Sequence, residues 1–131
     1  MLNQTPDLRP KSVPQAIEGM TLSFDPDVAK DLSATIQFQV SGNDSGDYYL
    51  TIADGQCQFA EGIVVDPTLT INTPADVWLK IARKEMNGAI ALMSRKYKAS
   101  GKIGLLLKMD NLFSRQPTEA ELDTKGWLDK G

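Results

Sequence analysis

Histidine is missing from the 131 residues of this chain, and cysteine occurs once, at Cys57. Without imidazole there is no Ser-His or Cys-His nucleophile pair, no histidine general base near neutral pH and no histidine metal ligand. A single thiol cannot form an intrachain disulfide, which favours a reducing compartment. Much hydrolytic chemistry is therefore excluded, and we expect neither an enzyme nor a cofactor or metal.

Long apolar runs and an excess of basic residues are also lacking. The apolar runs are far shorter than the roughly 20 residues that a membrane-spanning helix needs, and the first ten residues lack the features of a signal peptide. Seventeen acidic against 14 basic side chains give a net charge of −3, so the average field repels a phosphate backbone. We expect a cytoplasmic protein that binds no nucleic acid.

The composition that is present is typical of one globular domain, with 41% apolar and 24% charged residues. A chain of this length is expected to form one hydrophobic core. Changes in composition divide it into a flexible N-terminal arm (1–11), a central domain (12–114) and a more polar C-terminal extension (115–131). Trp127 and Leu128 give the extension an apolar end that is expected to fold back over the domain.

Five segments alternate between apolar and polar residues, which is typical of strands with one buried and one solvated face. Turn residues separate the first four, so an antiparallel meander is expected. Gln37 and Gln39 belong to the solvated face of the clearest segment. The five segments are 32–41, 48–53, 56–59, 68–72 and 96–100.

Helices are predicted from caps that precede periodic apolar residues. Ser12 and Asp25 are expected to cap short helices, and Thr73 a helix that ends at 87–88. A further short helix follows at 89–94. From Ile103 to Phe113 the sequence is apolar nearly all round, which predicts a helix enclosed on several sides.

Together these elements predict an α+β domain, with a five-stranded, antiparallel-rich sheet whose helices cover one face. The segment 67–113 carries more apolar surface than a small sheet needs to cover itself. Because the other face of the sheet is polar, any ligand site is expected between the sheet and the helices.

Four segments, in order, resemble one known family: 24–38, 49–55, 67–79 and, most specifically, 96–109 with its strand, Gly101 and closing helix. The family is that of the sterol carrier protein 2 domain. The resemblance implies that 12–114 is a non-enzymatic, lipid-binding domain with an apolar tunnel between sheet and helices. The tunnel is expected to bind sterols, fatty acids, fatty acyl-CoA or phospholipids.

The apolar tunnel that the resemblance implies is assigned a lining from the buried sheet face and the helices around it. Patterning alone favours an ordinary core for the same residues, and the three methionines suit an adaptable wall and a packed core equally well. The predicted lining residues are Phe38, Leu50, Trp78, Ile81, Met86, Ile90, Met93, Leu105, Leu106, Met109, Leu112 and Phe113.

Basic residues concentrate around the later helices, in an otherwise acidic chain. They form either a solvated face or a surface for transient contact with an acidic membrane or a ligand's acidic group. A second hypothesis for the whole chain is a protein-interaction or accessory module with a solidly packed interior. The oligomeric state is left open. The basic residues are Lys80, Arg83, Lys84, Arg95, Lys96, Lys98 and Lys102.

Overall fold

The alternation that begins near Ala34 produces the central strand of a mixed sheet. The computed structural model describes residues 9–43 and 45–127 and places five strands in them, in the order β3-β2-β1-β4-β5. The α+β architecture expected from the sequence is confirmed. The strands are β1 (Ala34–Ser41), β2 (Gly46–Ala53), β3 (Gln56–Glu61), β4 (Leu69–Pro74) and β5 (Lys98–Gly101).

The predicted meander of four strands is wrong at its last step. β4 lies beside β1 and runs parallel to it, with Ile36 next to Leu69, whereas the other three pairings are antiparallel. The connection after β3 crosses the polar face of the sheet, over β2 and β1, to reach β4. It is held there by the amide of Gln37, which donates to Gly62 O at 2.9 Å and accepts from Val64 N at 2.7 Å.

Gln37 is therefore 1% exposed, although the alternation had placed it in water. Its amide nitrogen also donates to Tyr48 O at 3.0 Å. Gln39, two residues further along the same face, stays exposed as predicted. The difference arises because the crossing connection covers one residue and not the other.

The opposite face of the sheet is apolar and buried, and it forms most of the hydrophobic core. Apolar side chains alternate inward on each of the three central strands, as the period of two requires. Their residues are Ala34, Ile36, Phe38, Val40, Tyr48, Leu50, Ile52, Leu69 and Ile71.

Helices cover this apolar face. α1 packs on β2, β3 and α3, while α3 also contacts β4, and α5 contacts β4, β5 and α2. The predicted caps are confirmed for α1 and α2, where the Ser12 and Asp25 side chains accept backbone N–H groups. The helices are α1 (Val13–Ser23), α2 (Pro26–Ala29), α3 (Ala75–Ala82), α4 (Gly88–Met93), α5 (Ile103–Leu112) and α6 (Glu119–Thr124).

Both predicted ends of α3 are wrong. Thr73 is buried in β4 and its hydroxyl donates to Pro74 O at 2.9 Å, so Pro74 takes the N-cap position without a side-chain cap. At the other end, Lys84 adopts a left-handed φ of 64°, which stops the helix. Asn87, expected to terminate α3, instead caps α4 by accepting the N–H of Ile90 at 3.0 Å.

α5 is not enclosed on several sides. It buries Leu105, Met109 and Leu112 but leaves Leu107 75% exposed and Ile103 41% exposed. Its burial thus follows the one-sided spacing of a surface helix. Ile103 and Leu107 are therefore apolar residues that the rest of the described structure does not bury.

The described part of the C-terminal extension folds back on α1. Arg115 donates its backbone N–H to Ser23 O at 3.0 Å and its guanidinium to Leu22 O at 2.6 Å. Lys125 Nζ pairs with the Glu18 carboxylate at 3.0 Å, and Leu122 is buried. Leu128, and residues 1–8 of the predicted arm, lie outside the described residues.

Candidate functional site

The candidate site is the apolar interface between the inner face of the sheet and the helices α3, α4 and α5. On the sheet side it is built by the inward residues of β1, β2 and β4. On the helix side, α3 contributes Trp78 and α5 contributes Leu105, Met109 and Leu112. Apart from the indole N–H of Trp78, the buried side chains of these helices are apolar.

The structure brings most of the predicted lining residues together at this interface. Six are buried: Phe38, Leu50, Trp78, Leu105, Met109 and Leu112. Four more are half-buried and pack against the same core: Ile81, Met86, Leu106 and Phe113. That these ten line a tunnel remains a prediction.

Two residues assigned to the lining, Ile90 and Met93, point away from the interface. They are 61% and 82% exposed, whereas Ala91 between them is 1% exposed. α4 has only six residues, and it presents Ala91 and part of Leu92 to the core. The placement of Ile90 and Met93 on an inner wall is therefore corrected to a surface position.

Three aromatic rings form the centre of the interface. Trp78 meets Phe38 edge-on with centroids 5.2 Å apart, and it meets Tyr97 edge-on at 5.8 Å. The Tyr97 hydroxyl donates to Gly88 O at 3.1 Å, which ties β5 to the start of α4. Burial, with a smaller contribution from the Asp110 carboxylate, raises the pKa of Tyr97, so the phenol stays protonated.

Trp78 carries the one polar atom of this interface that lacks a partner. Within residues 9–43 and 45–127, its Nε1 is the buried side-chain nitrogen or oxygen for which no hydrogen bond is found. The Trp78 side chain as a whole is only 6% exposed. An indole N–H is a donor only, so it requires an acceptor oxygen nearby to be satisfied.

Two cavities lie at the margins of the domain. One, of about 350 Å³, is at the end of β1, β4 and β5 and is lined by Thr73, Tyr97 and the cations Arg95, Lys96 and Lys98, among others. The other, of about 270 Å³, lies between α2 and α5 beside Leu32 and Lys108. Tyr97 connects the first cavity to the aromatic rings, since it also contacts Trp78.

The predicted concentration of basic residues is divided by the fold. Arg95, Lys96 and Lys98 lie together at the first cavity. Arg83 instead pairs with the Glu85 carboxylate at 2.9 Å and donates to Pro10 O at 2.8 Å. Transient contact of the first group with a membrane surface remains a prediction.

The single thiol of the chain, that of Cys57, is not activated for chemistry. Burial raises the pKa of the Cys57 thiol to about 12, so it is protonated at neutral pH and is a poor nucleophile. Among the described residues there is no group of three acidic or thiol side chains arranged to hold a metal ion, and no helix is long and apolar enough to cross a membrane.

Comparison with protein families identifies residues 21–114 as matching the model of the SCP-2 sterol transfer family. The match covers more than half of the chain. The chain belongs to the SCP-2 sterol transfer family. Residues outside the match include most of α1 and the C-terminal extension. Comparison with curated protein sequences gives no match.

Solved structures with the same fold include free-standing family members. Palmitated sterol carrier protein 2 like 2 from Aedes aegypti superposes with a TM-score of 0.66 at 18% identity, over 83% of this chain and 100% of that one. The UbiJ ubiquinone synthesis protein gives 0.60 at 19% identity, over 78% of this chain and 93% of that one. At these identities the likeness shows the fold alone.

A much larger protein also contains the fold. A double mutant of a sec-alkyl sulfatase of Pseudomonas sp. superposes with a TM-score of 0.70 at 17% identity over 79% of this chain. This chain spans only 16% of the sulfatase's length. The same fold therefore makes up nearly all of some solved chains and a small part of the sulfatase chain.

Sequence reasoning omitted several inward residues of the interface. Ile36 and Leu69 are both fully buried beside Phe38, and Ile71 lies directly next to Phe38 in the parallel pair. Their alternation already placed them on the apolar face. The pairing of β1 with β4 was not predicted, because local sequence does not encode which strands become neighbours.

Proposed function

We propose that this SCP-2 family member binds a lipid and shields its apolar part between the inner face of the sheet and α3 and α5. The observation that carries the proposal is the family match over 21–114. The ligand class is a sterol, fatty acid, fatty acyl-CoA or phospholipid, with binding or carriage rather than turnover as the activity.

The apolar interface supports this proposal physically. Trp78, Leu105 and Met109 face an apolar sheet surface from different helices, so an acyl chain between them would lose its contact with water. Removal of apolar surface from water contributes about 25 cal/mol per Å². Such affinity depends on area more than on shape, and a broad ligand range is expected.

The neighbours are consistent with the proposal. A structure of Aedes aegypti sterol carrier protein 2 is described as a complex with palmitate, and it superposes at a TM-score of 0.58 over 82% of this chain. Palmitate is therefore the first ligand to test here.

Native mass spectrometry of the protein purified from cells, followed by lipid extraction, is the direct experiment. We expect a mass increment that disappears under denaturing conditions and a lipid in the extract. Protein without an increment that also fails to bind a fluorescent fatty acid would refute lipid binding. Turnover of an acyl-CoA by the pure protein would refute the non-enzymatic role.

A second candidate function is a protein-interaction or accessory module with a filled interior. The observation in its favour is the complete burial of Ile36, Phe38 and Leu50, all at 0% exposure. The sulfatase shows the same fold as a small part of a larger chain.

Leu106→Trp distinguishes the two functions, because Leu106 packs against the core from α5. With lipid binding, the larger ring occupies ligand space, so lipid uptake falls and the free energy of unfolding changes little. With a filled interior, overpacking destabilises the fold by about 1–3 kcal/mol. Leu107→Trp is the matched control, since Leu107 is 75% exposed and should change neither quantity.

A further inference from the structure

The unpartnered indole N–H of Trp78 requires a physical explanation. Nearly all buried polar groups in native proteins have a hydrogen-bond partner, and leaving one unsatisfied destabilises the folded protein. A buried tryptophan usually finds an acceptor for this group. Trp78 is only 6% exposed, and its Nε1 has no hydrogen-bond acceptor among the described residues.

The place of the ring connects this donor with the lipid. Trp78 projects from α3 onto Phe38 of the central strand, at a centroid distance of 5.2 Å. It therefore lies between helix and sheet, where the proposed lipid is held. The hydroxyl of the neighbouring Tyr97 donates to Gly88 O, and its oxygen does not accept the indole N–H.

The charges near the ring restrict the acceptor that a ligand could bring. The buried polar or charged side chains of the described residues are Gln37 and Thr73, and neither is a cation. The cations of the first cavity, Arg95, Lys96 and Lys98, are exposed to solvent and are not buried beside the ring. Gln37 is also on the opposite face of the sheet, bound to the crossing connection. An ionised carboxylate would be buried there without a counter-charge, which is strongly unfavourable, whereas a neutral oxygen needs one donor only.

We propose that the indole N–H of Trp78 donates a hydrogen bond to an uncharged oxygen of the bound lipid, such as an ester, ketone, alcohol or protonated acid. The inference rests on the proposed function and makes it more specific. The site then prefers oxygenated lipids to plain hydrocarbons, and Trp78 positions the polar group of the lipid.

The test compares methyl palmitate with an alkane of the same number of heavy atoms, each delivered from cyclodextrin. The Trp127→Phe variant leaves Trp78 as the one indole in the nitrogen–proton correlation spectrum, because the chain has two tryptophans. We expect the indole proton of Trp78 to move downfield with methyl palmitate and not with the alkane.

Affinities provide the second measurement. A neutral hydrogen bond contributes about 1 kcal/mol net, or about fivefold in affinity. We expect Trp78→Phe to lower the ratio of ester to alkane affinity by about fivefold, since the ratio cancels the loss of ring volume. Trp127→Phe is the matched control and should leave the ratio unchanged.

The outcomes separate the two proposals. If both ligands bind, while the Trp78 indole does not move and the ratio is unchanged in Trp78→Phe, the inference about Trp78 is refuted and lipid binding stands. If the protein binds neither methyl palmitate nor the alkane, and also binds no fluorescent fatty acid, lipid binding itself is refuted. If Trp78→Phe fails to fold, the indole shift in the Trp127→Phe protein still decides.

Discussion

Replacing Gln37 by leucine tests how the crossing connection is held against the back of the sheet. Leucine has a similar size but neither donor nor acceptor. The change removes the bonds of the amide to Tyr48 O at 3.0 Å, Gly62 O at 2.9 Å and Val64 N at 2.7 Å. Because Gln37 is 1% exposed, water does not replace them without movement of the connection.

The magnitude follows from the same contacts. Each hydrogen bond contributes about 1 kcal/mol net, and a buried group left without a partner costs about 1–3 kcal/mol. The greater burial of apolar surface by leucine offsets part of this. We expect Gln37→Leu to lower the free energy of unfolding by about 3 kcal/mol, measured by urea denaturation.

Gln39→Leu is the matched control for this change. Gln39 lies on the same strand and the same face but is exposed, so its replacement should change stability by no more than about 0.5 kcal/mol. Hydrogen exchange adds a local measurement, because the Val64 amide should lose protection in Gln37→Leu alone. Equal costs for the two variants, with Val64 still protected, would refute the reasoning.

Three further predictions follow from the backbone and the titratable groups. Gly101→Ala should destabilise the fold by more than Gly42→Ala, for which roughly 1–2 kcal/mol of left-handed backbone strain is expected. A methyl group at Gly101 would lie 2.5 Å from the backbone oxygen of Thr68, whereas a methyl group at Gly42 would have no atom within 4 Å. Equal losses of stability in urea denaturation would contradict this. Hydrogen bonds from the Arg115 side chain and from Thr118, the N-cap of α6, hold the pKa of Glu121 at about 2, below its usual 4.5. The ionised form therefore stabilises α6 above pH 4.5 and loses this effect as the pH falls towards the folded-state value. We expect the indole signal of Trp127 to change over that range in the native chain and not in Glu121→Gln; identical titrations would contradict it. Cys57, with its pKa raised to about 12 by partial burial, should react slowly with iodoacetamide until urea unfolds the chain, and rapid alkylation of the native protein would contradict this.

Local sequence predicted the parts of the fold that depend on neighbouring residues. The alternation around Phe38 fixed which side chains of β1 face the core, since successive side chains of a strand point to opposite faces. Ser12 and Asp25 predicted helix starts correctly, because a cap needs only a side-chain oxygen and an N–H group within the next turn. The apolar sheet face of the candidate site was predictable for the same reason.

Features that depend on distant parts of the chain were not predictable in this way. The parallel pairing of β4 with β1 depends on a connection that crosses two strands, and that crossing buries Gln37. The orientation of α4 decided that Ala91 faces the core while Met93 faces water.

The amino-acid sequence by itself therefore determined the strands, the caps of α1 and α2, the apolar face and the likeness to the SCP-2 family. These depend on side-chain period and local hydrogen bonding, which act over a few residues. Only the tertiary structure decided which faces are covered, and it placed the Trp78 indole between helix and sheet without an acceptor. The physical reason is that burial and hydrogen-bond satisfaction depend on segments that meet only after the chain has folded.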